Sequence, residues 1–361
     1  MRPVFSNLLK AHPMIRKTIL FILLAFSSQL LFSQNPVSNI DSATYFLQKG
    51  MDEKKIGRRM ESLRNFEKAY KYDNTNKVIV NELASNYFDL RKYSHAKDTY
   101  KKLVELGDGS ASTYKQLMNL SFNMQQQDDV LLYATKLKQA DPGERVNFYI
   151  GKVQYDRENY GEAIKTLTEA LKEDQLNGEA AYMIARSYAD MQNYKQAIPF
   201  FQKAITLDPA KNNWIYELAL IHYAIHDDKN ALRLMLEAGE KGYKRDNDYL
   251  ENLGVAYLNA GNLDKGVEIL GEILKRKPSD MNILNMIAEA YYYKGRFQQA
   301  IDYWDQILVY DKANASALYM IGMSYQKKGE KGKGELLCDK AIEMDPSLAA
   351  LKQKKQMPGG L

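Results

Sequence analysis

One aliphatic column constrains this chain more than any other feature. Leu83, Leu117, Ile150, Ile184, Leu218, Leu253, Ile287 and Ile321 follow one another at intervals of 34, 33, 34, 34, 35, 34 and 34 residues. The next residue is usually small: Ala84, Met118, Gly151, Ala185, Ala219, Gly254, Ala288 and Gly322. Three residues later stand Tyr87, Ser121, Gln154, Tyr188, His222, Tyr257, Tyr291 and Tyr325. A second set of columns completes each period. It runs Ala96, Val130, Ala163, Ala197, Ala231, Gly266, Ala300, Gly334, then Tyr100 to Cys338 four residues on, then Leu103 to Ala341 three further. Residues three and four apart share one helix face, so each set predicts one amphipathic helix. Two such helices and a turn fill one period, and a fixed period near 34 residues signals a repeat array.

The punctuation agrees with that reading. Pro142, Pro209, Pro278 and Pro346 fall where the second helix should stop, because the residue before proline is pushed out of the helical region. Gly261, Gly295 and Gly329 fall between the paired helices, where a turn is required. Pro199 departs from the pattern by lying inside a second helix, where it predicts a local kink.

These columns resemble the tetratricopeptide repeat family in its order of leucine, small residue, tyrosine, alanine, bulky residue and proline. Repeat seven carries it best, with Leu253, Gly254, Tyr257, Gly266, Leu270 and Pro278. The resemblance implies an all-α, right-handed α-solenoid of about nine helix-turn-helix repeats. Eight repeats span about residues 77–346. A degenerate first one begins near residue 41, with Gly50, Phe66 and Ala69 in register and Lys49 in the aliphatic position. The expected organisation is a signal peptide over 1–33, a linker over 34–40, the array over 41–346, and a capping helix and tail over 347–361.

The N-terminus reads as an export signal. Arg16 and Lys17 precede a mostly apolar run from Thr18 to Phe32, and Ser33 supplies a small residue before Gln34. That order of basic, apolar and small residues predicts secretion with cleavage near Ser33-Gln34, the run being short for a spanning helix. Retention as a membrane anchor is the competing expectation. Met14 offers an alternative start that gives a leader of ordinary length; peptides from residues 2–13 in the intact precursor would refute it. The expected location is outside the cytoplasm, periplasmic or associated with the outer membrane.

Charge narrows the partners. Lys and Arg number 50 against 45 acids, a net of +5. Arg2, Lys10, Arg16 and Lys17 lie in the leader, so the remainder carries 46 against 45, or +1. A near-neutral chain has no broad electrostatic footprint for nucleic acid. Cys338 is the single cysteine, which rules out an internal disulfide and a cysteine-built metal framework.

Constellations for chemistry are weak. His222 and His226, four apart beside Asp227 and Asp228, have a spacing that two metal ligands could use. His222 falls in a core column, however, so a core histidine beside a solvated turn is expected and no metal site is assigned. Gly329, Gly332 and Gly334 follow no strand, as a phosphate loop would require. Cys338 fills a bulky apolar column and reads as a packed thiol. No catalytic residues and no cofactor are expected.

What remains is a second stripe on each first helix, nearly opposite its core stripe. It comprises Lys115, Asn119 and Phe122 in repeat three, Phe148, Lys152 and Tyr155 in repeat four, and Tyr182 and Arg186 in repeat five. Repeat six adds Tyr216, Leu220 and Tyr223, repeat eight Asn285, Glu289 and Tyr292, and repeat nine Tyr319 and Met323. The resemblance implies that this stripe lines the concave groove. Aromatic and basic side chains there suit protein recognition. A groove centred on repeats four to six, holding an extended or helical polypeptide, is expected. The carboxylate clamp of chaperone-binding relatives is not reproduced, since Tyr149 and Met183 stand where its later polar members belong. The expected function is a non-catalytic scaffold or adaptor in the cell envelope, binding protein or peptide partners, with membership of an envelope complex. Carbohydrate or cell-wall binding through the groove tyrosines is the alternative.

Overall fold

The computed structural model describes residues 39–354; the expected signal peptide, the expected linker up to residue 38 and the last residues of the tail lie outside them. The described residues are helical throughout, with 18 helices in consecutive pairs and no strand. We number them in chain order. The pairs are α1 (Asn39–Lys55) with α2 (Arg59–Tyr72), α3 (Lys77–Asp89) with α4 (Tyr93–Glu105), and α5 (Ala111–Asn123) with α6 (Gln127–Ala140). Next come α7 (Asn147–Asp156) with α8 (Tyr160–Glu173), α9 (Gly178–Asp190) with α10 (Tyr194–Leu207), and α11 (Asn212–Ala224) with α12 (Asp228–Glu240). The last three are α13 (Asn247–Asn259) with α14 (Leu263–Arg276), α15 (Met281–Tyr293) with α16 (Phe297–Tyr310), and α17 (Ala315–Lys327) with α18 (Lys331–Met344). A 3-10 turn, Pro346–Leu348, and a short α19 (Ala349–Lys354) follow, with Leu348 buried.

The described residues form two compact units that divide between Val153 and Gln154, inside α7. In each unit helices pack on their neighbours in sequence, as in a solenoid. Every residue of the three second-helix columns is buried. The bulky column supplies the large core side chains, among them Phe201 and Trp304. The small columns are a packing necessity. A Cβ on Gly50 would lie 2.5 Å from the Phe66 ring, and one on Gly322 would lie 2.7 Å from Cys338 Sγ and 2.8 Å from the Gly334 carbonyl oxygen. The first pair survives its degenerate sequence because Phe46 and Leu47 pack inward in place of the exposed Lys49.

The turn inside each pair closes the same way in all nine. A residue of positive φ follows the first helix at Gly57, Arg91, Gln125, Glu158, Gln192, His226, Gly261, Gly295 and Gly329. In repeat two the Arg91 N–H donates to the Phe88 carbonyl and the Lys92 N–H to the Tyr87 carbonyl, both at 2.9 Å. This is a Schellman closure, which satisfies the last carbonyls of the helix. Most second helices end at an extended aspartate, such as Asp73 or Asp311, whose carboxylate accepts a backbone N–H two residues on. Pro199 sits inside an uninterrupted α10 on an exposed face, where water reaches the carbonyl it leaves unbonded.

Candidate functional site

The first helices carry the second stripe, and the structure uses much of it internally. In the first unit, Lys115 Nζ donates to Glu144 Oε1 and Oε2, both at 2.9 Å. Phe122 meets Tyr149 edge to face with ring centres 5.0 Å apart, and Phe148 meets the same ring at 5.7 Å. Asn119 and Lys152 are half-buried.

In the second unit the stripe of repeats four to six is a polar ladder. Tyr155 Oη donates to Asp190 Oδ2 at 2.7 Å. Arg186 lies 3.9 Å from Asp190 Oδ1, and its Nη1 donates to Glu217 Oε2 and to Tyr182 Oη, both at 3.2 Å. Tyr182 Oη donates in turn to Glu217 Oε1 at 2.9 Å, and its ring stacks on Trp214 at 4.7 Å. Burial holds the Glu217 carboxyl above its ordinary range, against the pull of Tyr182 and Arg186. Burial and the Glu217 charge push the Tyr182 hydroxyl up to about 12, so it stays protonated and donating. Tyr155, Tyr182 and Arg186 therefore bind repeat to repeat.

Three expected groove residues are core instead. Tyr216 is 7% exposed, stacked on Tyr243 at 4.3 Å, with its hydroxyl accepting from Asn252. Tyr292 is 9% exposed, set edge-on against Phe297 and Trp304. Tyr319 is fully buried, and its hydroxyl has no partner among the described residues. The correction has one cause. The stripe is only part of a turn away from surfaces that meet the neighbouring repeat, and a large ring gains more from burial there than from exposure.

The open surface lies further along the unit, over repeats six to eight. A half-open cavity of about 470 Å³ is walled by Val255, Leu258, Met286 and Ala290, with Glu289 on the same wall. Tyr223 and Tyr293 stand at it, 38% and 56% exposed. Tyr223 and Glu289 are thus the residues of the expected stripe that meet this cavity. Tyr293 was missed by one position: Tyr292 turns into the core, and the adjacent residue, some 100° round the helix, turns out. The signal was present as a run of three tyrosines, Tyr291 to Tyr293, but not which of them faces out.

Glu289 is held from behind. Trp304 Nε1 donates to Asn285 Oδ1 at 2.8 Å, and Asn285 Nδ2 donates to Glu289 Oε1 at 2.9 Å. Burial raises the Glu289 carboxyl above its ordinary value, and only the Asn285 hydrogen bond opposes that rise. No ion pair to Glu289 occurs among the described residues, although Lys294 and His226 also line the cavity.

The two histidines are used locally. His222 Nδ1 lies 2.9 Å from Asp227 Oδ2, His226 takes the left-handed turn position, and no cluster of three metal-ligating side chains occurs among the described residues. Cys338 is buried against Tyr319, with Sγ 3.6 Å from its carbonyl oxygen. No helix among the described residues is long and apolar enough to cross a membrane.

Paired helices packed in sequence, with side chains gathered on the first helix of each pair, define a helical-repeat scaffold. The chain belongs to the tetratricopeptide repeat family: models described as tetratricopeptide repeat match residues 79–313 and 285–349. No curated protein matches. Among solved structures, the chain is similar to the pilF protein of Pseudomonas aeruginosa, at 18% identity over 60% of this chain and 98% of that one, with a TM-score of 0.46. It is similar also to the C-terminal part of a TPR repeat-containing protein from Cytophaga hutchinsonii, at 17% identity over 76% and 99%, with a TM-score of 0.45. A third is YrrB, described as a TPR protein with an unusual peptide-binding site, at 20% identity over 52% and 97%, with a TM-score of 0.42.

Proposed function

We propose that this protein is a non-catalytic scaffold or adaptor of the cell envelope that engages polypeptide segments of its partners on the first-helix face. The observation that carries the reading is the open apolar cavity across repeats six to eight, flanked by Tyr223 and Tyr293. Much of the rest of that face is already engaged internally, as in the Tyr155 to Glu217 ladder. Two exposed rings over an aliphatic floor offer the contact area that anchors peptide recognition. The envelope location rests on the basic-apolar-small order of residues 16–33.

The test is capture of partners from an envelope extract by the full chain and by a Tyr223→Ala, Tyr293→Ala variant of unchanged helicity. A protein recovered by the parent and lost by the variant supports the reading. Equal recovery by both places binding on another surface. Binding of purified wall polymer in place of any protein would favour the carbohydrate alternative.

A further inference from the structure

We infer that the cavity of repeats six to eight selects a peptide in which an apolar side chain stands next to a lysine or arginine, the apolar group entering the cavity and the cation meeting Glu289. This deepens the proposed function and rests on it.

Charge complementarity carries the inference. Glu289 is a half-buried carboxylate beside the apolar side chains of Val255, Leu258, Met286 and Ala290, in a cavity that His226, Asn259 and Lys294 also line. A carboxylate partly withdrawn from water and left without a cation carries part of that desolvation cost, which a bound cation would offset. One oxygen is satisfied by Asn285, which Trp304 fixes from the buried side. The other has no partner among the described residues. The carboxylate is therefore aligned in advance and has capacity left for a donor. A cationic donor is the strongest match, because charge-assisted hydrogen bonds exceed neutral ones about twofold. Lys294 lies at the cavity without an ion pair to Glu289. The volume of about 470 Å³ admits one large aliphatic or aromatic side chain and excludes a folded domain. Contrast with the ladder sharpens the assignment. Glu217, three positions earlier in its repeat frame, is met by Arg186 and Tyr182, whereas repeats seven and eight supply no such pair for Glu289.

The experiment is selection of random linear dodecapeptides on the immobilised full chain, on Glu289→Gln and on Leu258→Asp, each checked for parental helicity. The expected result is enrichment of apolar-basic pairs by the parent. Synthetic versions of the enriched peptides should bind Glu289→Gln about tenfold more weakly, and Leu258→Asp should not enrich them. Should Glu289→Gln not fold, Tyr293→Ala replaces it, and its loss of the same peptides is the expected result. Enrichment of peptides with no basic residue, or peptides bound equally by Glu289→Gln, overturns the charge assignment and leaves the scaffold reading standing. Peptides enriched equally by all variants overturn the cavity as the site. No enrichment by any of them overturns both.

Discussion

Lys97 shows how single residues hold one repeat to the next. It lies buried on α4, and its Nζ reaches Asp129 Oδ2 at 2.6 Å and the Gln126 amide oxygen of the following repeat. The Lys97 hydrogen bond pulls the Asp129 carboxyl below its ordinary value of 3.8. A depressed acid stabilises the fold above its unfolded pKa, and that contribution is lost as pH falls through the depressed value. We expect Asp129→Ala to cost about 3 kcal/mol near neutral pH, because it strands a buried ammonium, and Lys97→Met with Asp129→Leu to recover most of it. Urea unfolding of the parent and the two variants at pH 7 checks this, and the deficit of Asp129→Ala should shrink on acidification below pH 4. The glycines give a second test at this scale. Gly322→Ala forces a methyl into Cys338 and the Gly334 carbonyl and should lose about 2 kcal/mol. Gly271→Ala, where no atom lies within 4 Å, should gain about 0.5–1 kcal/mol from helix propensity. Equal effects at the two positions would show that the small columns do not set helix separation.

Each helix pair depends on one left-handed residue, and there sequence and structure part company. Gly261, Gly295 and Gly329 could be read as turns because glycine advertises that conformation. Arg91, Gln125, Glu158, Gln192 and His226 hold the same position with φ between 56° and 61°, and nothing in their identity announces it. Gln192→Gly should therefore raise stability by about 0.5–1 kcal/mol, and Gly295→Gln should lower it comparably, as read from urea midpoints. The core columns were legible because burial inside a repeat depends on helix period alone, which is why Phe201, Trp304 and Cys338 sit where their spacing requires. The site was less so. Arg186 and Tyr182 look like free groove residues until Glu217 is found beside them, and that meeting depends on how one repeat packs on the next. Tyr292 and Tyr293 differ by a rotation that no spacing rule resolves at a helix end.

At the scale of the whole molecule, stability in a repeat array is a sum of repeat terms and nearest-neighbour interfaces, with no single core. The division of the described residues into two compact units between Val153 and Gln154 accords with that. Denaturant unfolding should depart from two-state behaviour, with a calorimetric enthalpy above the van't Hoff value. A single sharp transition with equal enthalpies would contradict a modular array.

The central claim is that partners dock on the first-helix face at repeats six to eight. The most direct measurement places a photo-crosslinking residue at Tyr293, and in a second strain at the exposed Lys203 of α10, in living cells. The account predicts a discrete protein adduct from position 293 that is absent from position 203 and disappears with Leu258→Asp. Adducts from position 203 alone, or none lost with Leu258→Asp, would contradict it.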